Sequence, residues 1–518
     1  MTLNSKITRH LSKRNTKSGF FSNNITGSIL LLLLFTGSFF ITSCEREEFT
    51  DSPDAEITFS LDTLRFDTVF TERGTITRFL KVFNPNDKAV RISDIQLENQ
   101  QSFFRFNADG FPQEEARDIV IWAKDSIYVF VEATIDPDES VSASPFIIEE
   151  RLNFTVNENT SSVLLEAYGQ NANYVPFKEA TGNIALLSCN GGTVIWEDPK
   201  PYVIFGVLVI DDCTLIIPEG ARIHVHGGFA RDDDFVYNDG LIFVGANGRL
   251  ISEGTESNPV SIQGDRLEPG FADQAGQWAG IRLSAGSGPH SFKYTEIKNS
   301  IVGIRADSAT VLNLEQVSIL NTSGPGLLGI HNEITAVNTM IANNGGNSAQ
   351  LVYGGNHRFY YTTLSNFGNQ IEALRIDNFQ CYDPPECDDI RANPMQVSFV
   401  NSIIAGSGRD QVQIIDVTQD NSGFMNFEFD HTLLRVFQLL RQERYENFLE
   451  DCNNCRNFEL VEPVFKSVPD NDFRLDSLSI ARGFARPLPN ITTIDLDGHP
   501  RDSEEPDAGA LEWKPEEE

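Results

Sequence analysis

The feature that most constrains this chain is a repeat in its second half. Six segments share a Φ-x-x-Φ pattern: Tyr294/Ile297, Leu314/Val317, Val337/Met340, Tyr361/Leu364, Val400/Ile403 and Phe429/Thr432. Successive segments begin 20, 23, 24, 39 and 29 residues apart, and the 39-residue step contains the Cys381–Cys387 loop. A period in the low twenties, carried by short strand-like runs and not by helical spacing, indicates a β-solenoid. Each coil turns three short strands and stacks on the next at ~4.8 Å, its apolar residues pointing into a shared core. About 300 residues at ~23 per coil predict roughly 13 coils, a rod on the order of 60 Å long. Asn299, Asn321, Asn343 and Asn366 follow the core residues. Asn tolerates left-handed backbone, and its amide can stack on the neighbouring coil, so these residues read as structural corners.

Before the repeat, residues 57–170 read differently. Ile76 to Phe83, Ile119 to Ile121, Ile127 to Ile135, Leu152 to Val156 and Val163 to Tyr168 are rich in β-branched and aromatic residues. Ile127, Val129 and Val131 alternate with Tyr128, Phe130 and Glu132, the period of a half-buried strand. Asn84-Pro85-Asn86-Asp87 and Asp136-Pro137-Asp138 supply turns. About 110 residues of such strands predict a β-sandwich. It resembles, at fold level, the Ig-like domains of envelope proteins, which serve as spacers or binding modules.

Residues 1–43 read as a targeting segment. Lys6, Arg9, Lys13, Arg14 and Lys17 precede an apolar run from Ile29 to Phe35 that continues through Phe39-Phe40-Ile41. The run is short for a membrane span and has signal-peptide flanks. Ile41-Thr42-Ser43-Cys44 resembles the bacterial lipobox, which implies diacylation of Cys44 and cleavage just before it. Residues 44–56 would then be a tether. Glu45-Arg46-Glu47-Glu48 lacks Asp after the cysteine and is similar to the surface-export tag of Bacteroidetes-type lipoproteins. The expected location is the cell envelope, as an outer-membrane lipoprotein facing either the periplasm or the cell surface.

Removing the five basic residues of that segment leaves 35 basic against 74 acidic side chains, a formal charge of −39. Such a surface repels nucleic acid, and it disfavours polyanionic glycans unless cations bridge them. After Cys44 six cysteines remain, an even number in an oxidising compartment, so disulfides are expected over metal. Cys189 and Cys213 lie one coil apart, close to the separation a disulfide needs. Cys381 and Cys387 bracket a short loop, and Cys452 and Cys455 form a CxxC with no βαβ context for redox chemistry. The sequence does not fix their connectivity.

Three stretches resemble right-handed parallel β-helix proteins of the bacterial envelope. The first is Leu208 to Gly220, with VIDDCTLIIPEG near its end. The second is Gly248 to Arg266 followed by Gln277-Trp278-Ala279-Gly280-Ile281. The third comprises Asn471 to Leu475, Ser479 to Gly483, Ile494-Asp495-Leu496-Asp497-Gly498-His499-Pro500-Arg501 and Pro506-Asp507-Ala508-Gly509-Ala510-Leu511-Glu512. The last two runs are similar to that family's terminal DxDGxxR…PDxGAxE signature. The resemblance implies an all-β chain: an Ig-like sandwich, then a right-handed parallel β-helix over residues 171–518 with a C-terminal cap. Members include lyases, glycosidases, adhesins and chains of no known role.

No residue set commits the chain to catalysis. A glycosidase needs two carboxylates facing one groove. The candidates Asp211/Asp212, Asp232/Asp233/Asp234 and Asp388/Asp389 read as turns or solvated loops. The Gly-His-Gly and Arg-Ile-Lys motifs that the resemblance implies for polygalacturonase-type members are missing. A lyase would need a base such as Lys293 or Lys298. Asp232–Asp234 has the oxygen ligands for Ca2+, whereas Asp495-x-Asp497-Gly498 lacks the EF-hand spacing and reads as a structural cap. His224 and His226 alternate on a strand without a third ligand for zinc. No catalytic residue, metal site or cofactor is assigned, and Ca2+ is the one ion kept as an alternative. The expected protein is anchored through acylated Cys44 and binds a polysaccharide or a surface protein. The alternative is a carbohydrate-active enzyme, a polysaccharide lyase or glycoside hydrolase.

Overall fold

The computed structural model describes residues 48–70, 77–99, 102–134, 146–175, 184–231, 236–267, 270–418 and 423–515. Among them the chain is all-β, with three short 3-10 turns in the solenoid part and one in the sandwich. No described helix is long and apolar enough to cross a membrane. The apolar run at 29–41, Cys44 and the Asp232–Asp234 loop lie outside the described residues.

Residues 58–170 form two five-stranded sheets. One orders Thr58–Phe59, Arg78–Phe83, Ser126–Ala133, Phe104–Ala108 and Phe111–Pro112; the other orders Thr63–Phe70, Asn159–Gln170, Phe146–Val156, Val90–Leu97 and Arg117–Ile121. The alternation read at 127–132 is realised. Ile127, Val129 and Val131 join Leu80, Val82, Phe104 and Phe154 in one core, while Tyr128, Phe130 and Glu132 face outward. Asn84 closes its turn as a buried residue, its Nδ2 donating to the carbonyls of Lys88 and Ile121, both at 2.9 Å. The strands 63–70, 90–97 and 104–108 are additions to the sequence reading.

From Asn173 onward, 24 strands form a single continuous sheet that coils on itself in parallel register. It divides into three faces. Sheet I runs from Asn173–Val175 through Tyr202–Phe205, Arg222–His226 and Val260–Gly264 to Leu433–Leu434 and Arg456–Asn457. Sheet II runs from Ile184–Leu187 to Val412–Ile415. Sheet III runs from Thr193–Ile195 to Met425–Asp430. Sheets II and III each hold nine stacked segments and sheet I holds eleven. The rod is therefore about 40–50 Å long at ~4.8 Å per coil, shorter than the 13 coils expected. Excursions from the coil explain the difference: the hairpins 228–239 and 379–392, the loop 265–277, and all residues after 457.

The core is built of in-register columns. In sheet I the inward column is Tyr202, Ile223, Ile262, Ile297, Ile319, Ile341, Leu364, Ile404 and Leu434. In sheet III, Phe359 and Phe399 stack at 4.4 Å between ring centroids and Phe399 and Phe429 at 5.7 Å. Phe448 then meets Phe429 edge-on at 5.3 Å. Phe448 belongs with Leu439 and Tyr445 to residues 435–455, which close this end of the core. Coil-end closure thus lies before the signature-bearing tail, where the sequence reading did not place it.

The corners repeat as regularly as the core. Between sheets III and I, the left-handed conformation is taken in turn by Tyr294, Gln316, Asn338, Tyr361, Asn401, His431 and Asn454. The next residue is Thr295, Thr339, Thr362, Ser402 or Thr432 in five of these corners. Each such hydroxyl donates to the carbonyl two residues back, at 2.9 to 3.4 Å. That bond ties the side chain to the corner's own backbone, and at Lys293, Val400 and Asp430 the carbonyl accepts a backbone N–H of the preceding coil as well. The Φ-x-x-Φ spacing was a mis-phased shadow of this corner dipeptide. Between sheets I and II, Asn299, Asn321 and Asn343 are left-handed as expected. Asn343 Nδ2 donates to Asn321 Oδ1 at 2.7 Å, and Asn321 Nδ2 donates to Asp273 Oδ1 at 3.1 Å. Asn366 departs from the expectation: it is not left-handed, and its Nδ2 donates to Gly346 O at 2.9 Å.

Candidate functional site

A binding face on a solenoid needs a sheet whose outer side is open. The outer side of sheet I is closed. Met340, Ala342, Ile403, Ala405 and Leu433 point outward there and pack under Phe458, Val464, Phe473, Leu475, Ala508, Ala510 and Leu511 of the C-terminal segment. The terminal signature is the fastening. Arg501 is buried beneath the segment, 3.9 Å from the Tyr361 ring centroid. It donates to the carbonyls of Gly509 and Ala510, both at 3.0 Å, and to Glu512 Oε2 at 3.2 Å. Asp495 Oδ1 accepts from the backbone of Asp497 at 3.0 Å and of His499 at 2.8 Å, and Oδ2 accepts from Glu512 N at 2.9 Å. Asp507 accepts from Gly483 N and Trp513 N, both at 2.7 Å. Burial pushes the Asp497, Asp507 and Glu512 carboxyls above their ordinary range and the Arg501 guanidinium below its own. The carboxylates of Asp495, Asp507 and Glu512 are spent on backbone amides. The cap reading holds for Asp495 as a structural role, on the flank of the rod and not at its end, with Asp497 taking part through its backbone N–H.

A second fastening sits two coils on. Asp430 accepts from His431 Nδ1 at 2.6 Å, Arg486 Nε at 2.7 Å and Asn453 Nδ2 at 2.9 Å. Burial works against the charge, yet the His431 and Arg486 bonds hold the Asp430 carboxyl below its ordinary range.

The outer side of sheet III is open. Its inward residues alternate with an outward row Ser291, Asn313, Thr335, Arg358, Ser398, Glu428 along the rod axis. Beside it runs Val311, Glu333, Asn356, Gln396, Asn426. On the other flank run Lys293, Glu315, Val337 and Tyr360. Arg358, Gln396, Asn426 and Glu428 are exposed, and together with Asn356, Ser398 and Tyr360 they line a shallow depression of about 310 Å³. The face offers amide, hydroxyl, guanidinium and carboxylate groups at the ~4.8 Å coil spacing. Sequence reasoning missed this row. Its signal is positional: in the last three coils the residues three and five before each left-handed corner residue face outward.

The residues singled out from sequence do not converge. Asp211 Oδ1 accepts from Asn247 N at 3.0 Å and Asp212 is a left-handed turn residue, both at a corner. Asp389 pairs with Arg391 through two bonds, at 3.1 and 2.8 Å, and Asp388 N donates to Asp383 Oδ2, all in the excursion hairpin. Lys293 is on the sheet III face but pairs with Glu315 at 3.0 Å, and Lys298 pairs with Glu296 at 3.1 Å. His224 is buried on the outer side of sheet I, with burial pushing its pKa down to about 4. His226 pairs through Nδ1 with Asp265 at 2.8 Å. Among the described residues no three His, Cys, Asp or Glu side chains group as metal ligands. The cysteines pair as Cys189–Cys213, Cys381–Cys387 and Cys452–Cys455. The first pair joins adjacent coils with Cα atoms 5.0 Å apart, although the backbone partner of Thr214 is Gly192 and not Cys189.

No known protein family and no curated protein matches the chain. Solved structures give partial likenesses. One is a protein of unknown function from Porphyromonas gingivalis, 13% identical, covering 27% of this chain and 59% of that one, with a TM-score of 0.18. Another is the SrpA adhesin from Streptococcus sanguinis, 9% identical, covering 26% and 69%, with a TM-score of 0.18. A third is a family 123 glycoside hydrolase from Clostridium perfringens, 11% identical, covering 27% and 26%, with a TM-score of 0.16.

Proposed function

We propose that this is a lipid-anchored cell-envelope protein whose β-helix binds a polysaccharide on the outer face of sheet III. The observation that carries the reading is the contrast between two faces of one rod. Sheet I presents apolar residues outward and spends the C-terminal segment after residue 457 covering them. From Ser291 onward sheet III presents a mainly polar face and leaves it open. A flat row of amides and hydroxyls at a fixed repeat suits an extended hydroxylated polymer, whose own groups recur along its length. Cys44 would carry the acyl chains, residues 44–56 the tether, and the Ig-like sandwich would lift the β-helix off the outer membrane. The scatter of the candidate carboxylates and lysines favours binding over turnover.

Retention on immobilised polysaccharides, with product analysis in the same samples, tests this reading. Retention without new reducing ends or unsaturated products is the expected result. Turnover would instead establish a carbohydrate-active enzyme, and retention of a surface protein in place of any glycan would replace the ligand class. For the anchor, Cys44→Ala is expected to abolish incorporation of labelled palmitate and to free the protein from the membrane fraction.

A further inference from the structure

The sandwich carries a feature that a spacer does not need. Phe79, Tyr128 and Phe130 lie on the outer side of the sheet whose inner side holds Leu80, Val82, Val129 and Val131. They are 53%, 41% and 41% exposed. Phe79 and Phe130 are direct cross-strand partners, with ring centroids 6.2 Å apart. Tyr128 lies 5.3 Å from Phe79 and 6.1 Å from Phe130, nearly parallel to the latter at 15°. Leaving three clustered rings in water forgoes the burial that such side chains otherwise gain, so the patch is built for a ligand.

The chemistry around the rings selects the ligand. Lys81 sits among them, opposite Tyr128 in register, with its Nζ 4.7 Å from that ring's centroid. No carboxylate pairs with it among the described residues, whereas Arg105 and Glu132 on the same face stand opposite each other. Charged residues are depleted from the cores of protein–protein interfaces, so a lysine at the centre argues against a protein partner. Flat rings suit the C–H faces of pyranose sugars, and an uncompensated ammonium suits an anionic substituent beside them. In a chain of formal charge −34, this is a local cation in a field that otherwise repels acids.

We infer that Phe79, Tyr128, Phe130 and Lys81 form a binding platform for a glycan bearing carboxylate or sulfate groups. This inference stands on the sandwich alone and does not depend on the sheet III reading. The test is binding of the intact protein to matched sets of neutral, uronate-containing and sulfated oligosaccharides, at low and high salt. The expected result is preference for the acidic sets, weakened by salt. Phe130→Ala and Tyr128→Ala should each lower affinity at least tenfold, and Lys81→Gln should abolish the acidic preference. Val461→Ala, at an exposed position of the C-terminal segment outside both faces, should leave these values unchanged. Phe130 and Tyr128 are exposed and Lys81 is half-buried, and circular dichroism verifies folding. No binding of any acidic glycan, binding unmoved by the three sandwich substitutions, or a preference for neutral sugars would each overturn the inference.

Discussion

Arg501 Nη2 donates to Asn338 Oδ1 at 2.9 Å, linking the C-terminal segment to a coil corner 163 residues earlier. Asn338 is itself left-handed and fully buried, and its Nδ2 donates to Ile494 O at 2.8 Å. The tail is thereby locked to the corner from both directions.

Arg501→Ala should cost about 3–5 kcal/mol, because it leaves Glu512 and several carbonyls buried without their donor. Arg501→Lys should not restore stability, since one ammonium cannot reach the acceptors a guanidinium spans. Chemical denaturation measures the loss. Limited proteolysis should release residues after 457 first, exposing the apolar outer side of sheet I.

His357 points into the core of sheet III, entirely buried, with no hydrogen-bond partner on either ring nitrogen. Burial pushes its pKa down to about 4 from an ordinary 6.5. A histidine depressed on folding adds its full stability above pH 6.5 and loses it progressively as pH falls toward 4. The loss reaches about 3 kcal/mol at the acid end. His357→Leu should therefore match or exceed the parent in stability at pH 7 and exceed it clearly at pH 5. Thermal unfolding across pH 4–8 checks this; parallel curves for the two proteins would refute it.

The asparagine stack gives a graded prediction. Asn321→Ala forces a side chain with a Cβ into left-handed backbone without Asn's local compensation and removes the bond from Asn343, at about 1–2 kcal/mol. Asn321→Gly should recover the backbone part but not the lost bond. Equilibrium denaturation of the pair separates the two contributions.

What was legible in the sequence follows from what a solenoid repeats. The period recurs, so the β-helix could be read from the spacing of Tyr294/Ile297, Leu314/Val317, Val337/Met340 and Tyr361/Leu364, although the inward column itself is Ile297, Ile319, Ile341 and Leu364. Asn299, Asn321 and Asn343 could be read too, because only a few residue types tolerate that backbone. The coil count was not legible, since dividing the length by one period counts as coil the residues of excursions such as 379–392, whose strands pair only with each other. The role of the tail was not legible either. Asp495, Arg501, Asp507 and Glu512 act on backbone groups and on a corner far away in sequence, and a motif shows no such distance. Sheet III's outer row was hidden for the opposite reason. Exposed positions carry no hydrophobic signal, and Asn356, Gln396 and Asn426 become a row only when coils 30 to 40 residues long are laid in register.

The most direct test of the central claim is polysaccharide retention by the intact protein against a variant carrying Arg358→Ala, Gln396→Ala and Asn426→Ala. These side chains face outward, so the fold should stand. If sheet III is the binding face, the parent is retained on at least one hydroxylated polymer, without turnover, and the triple variant elutes at least tenfold earlier in affinity. Equal retention of the two proteins, or retention of neither, would contradict the assignment.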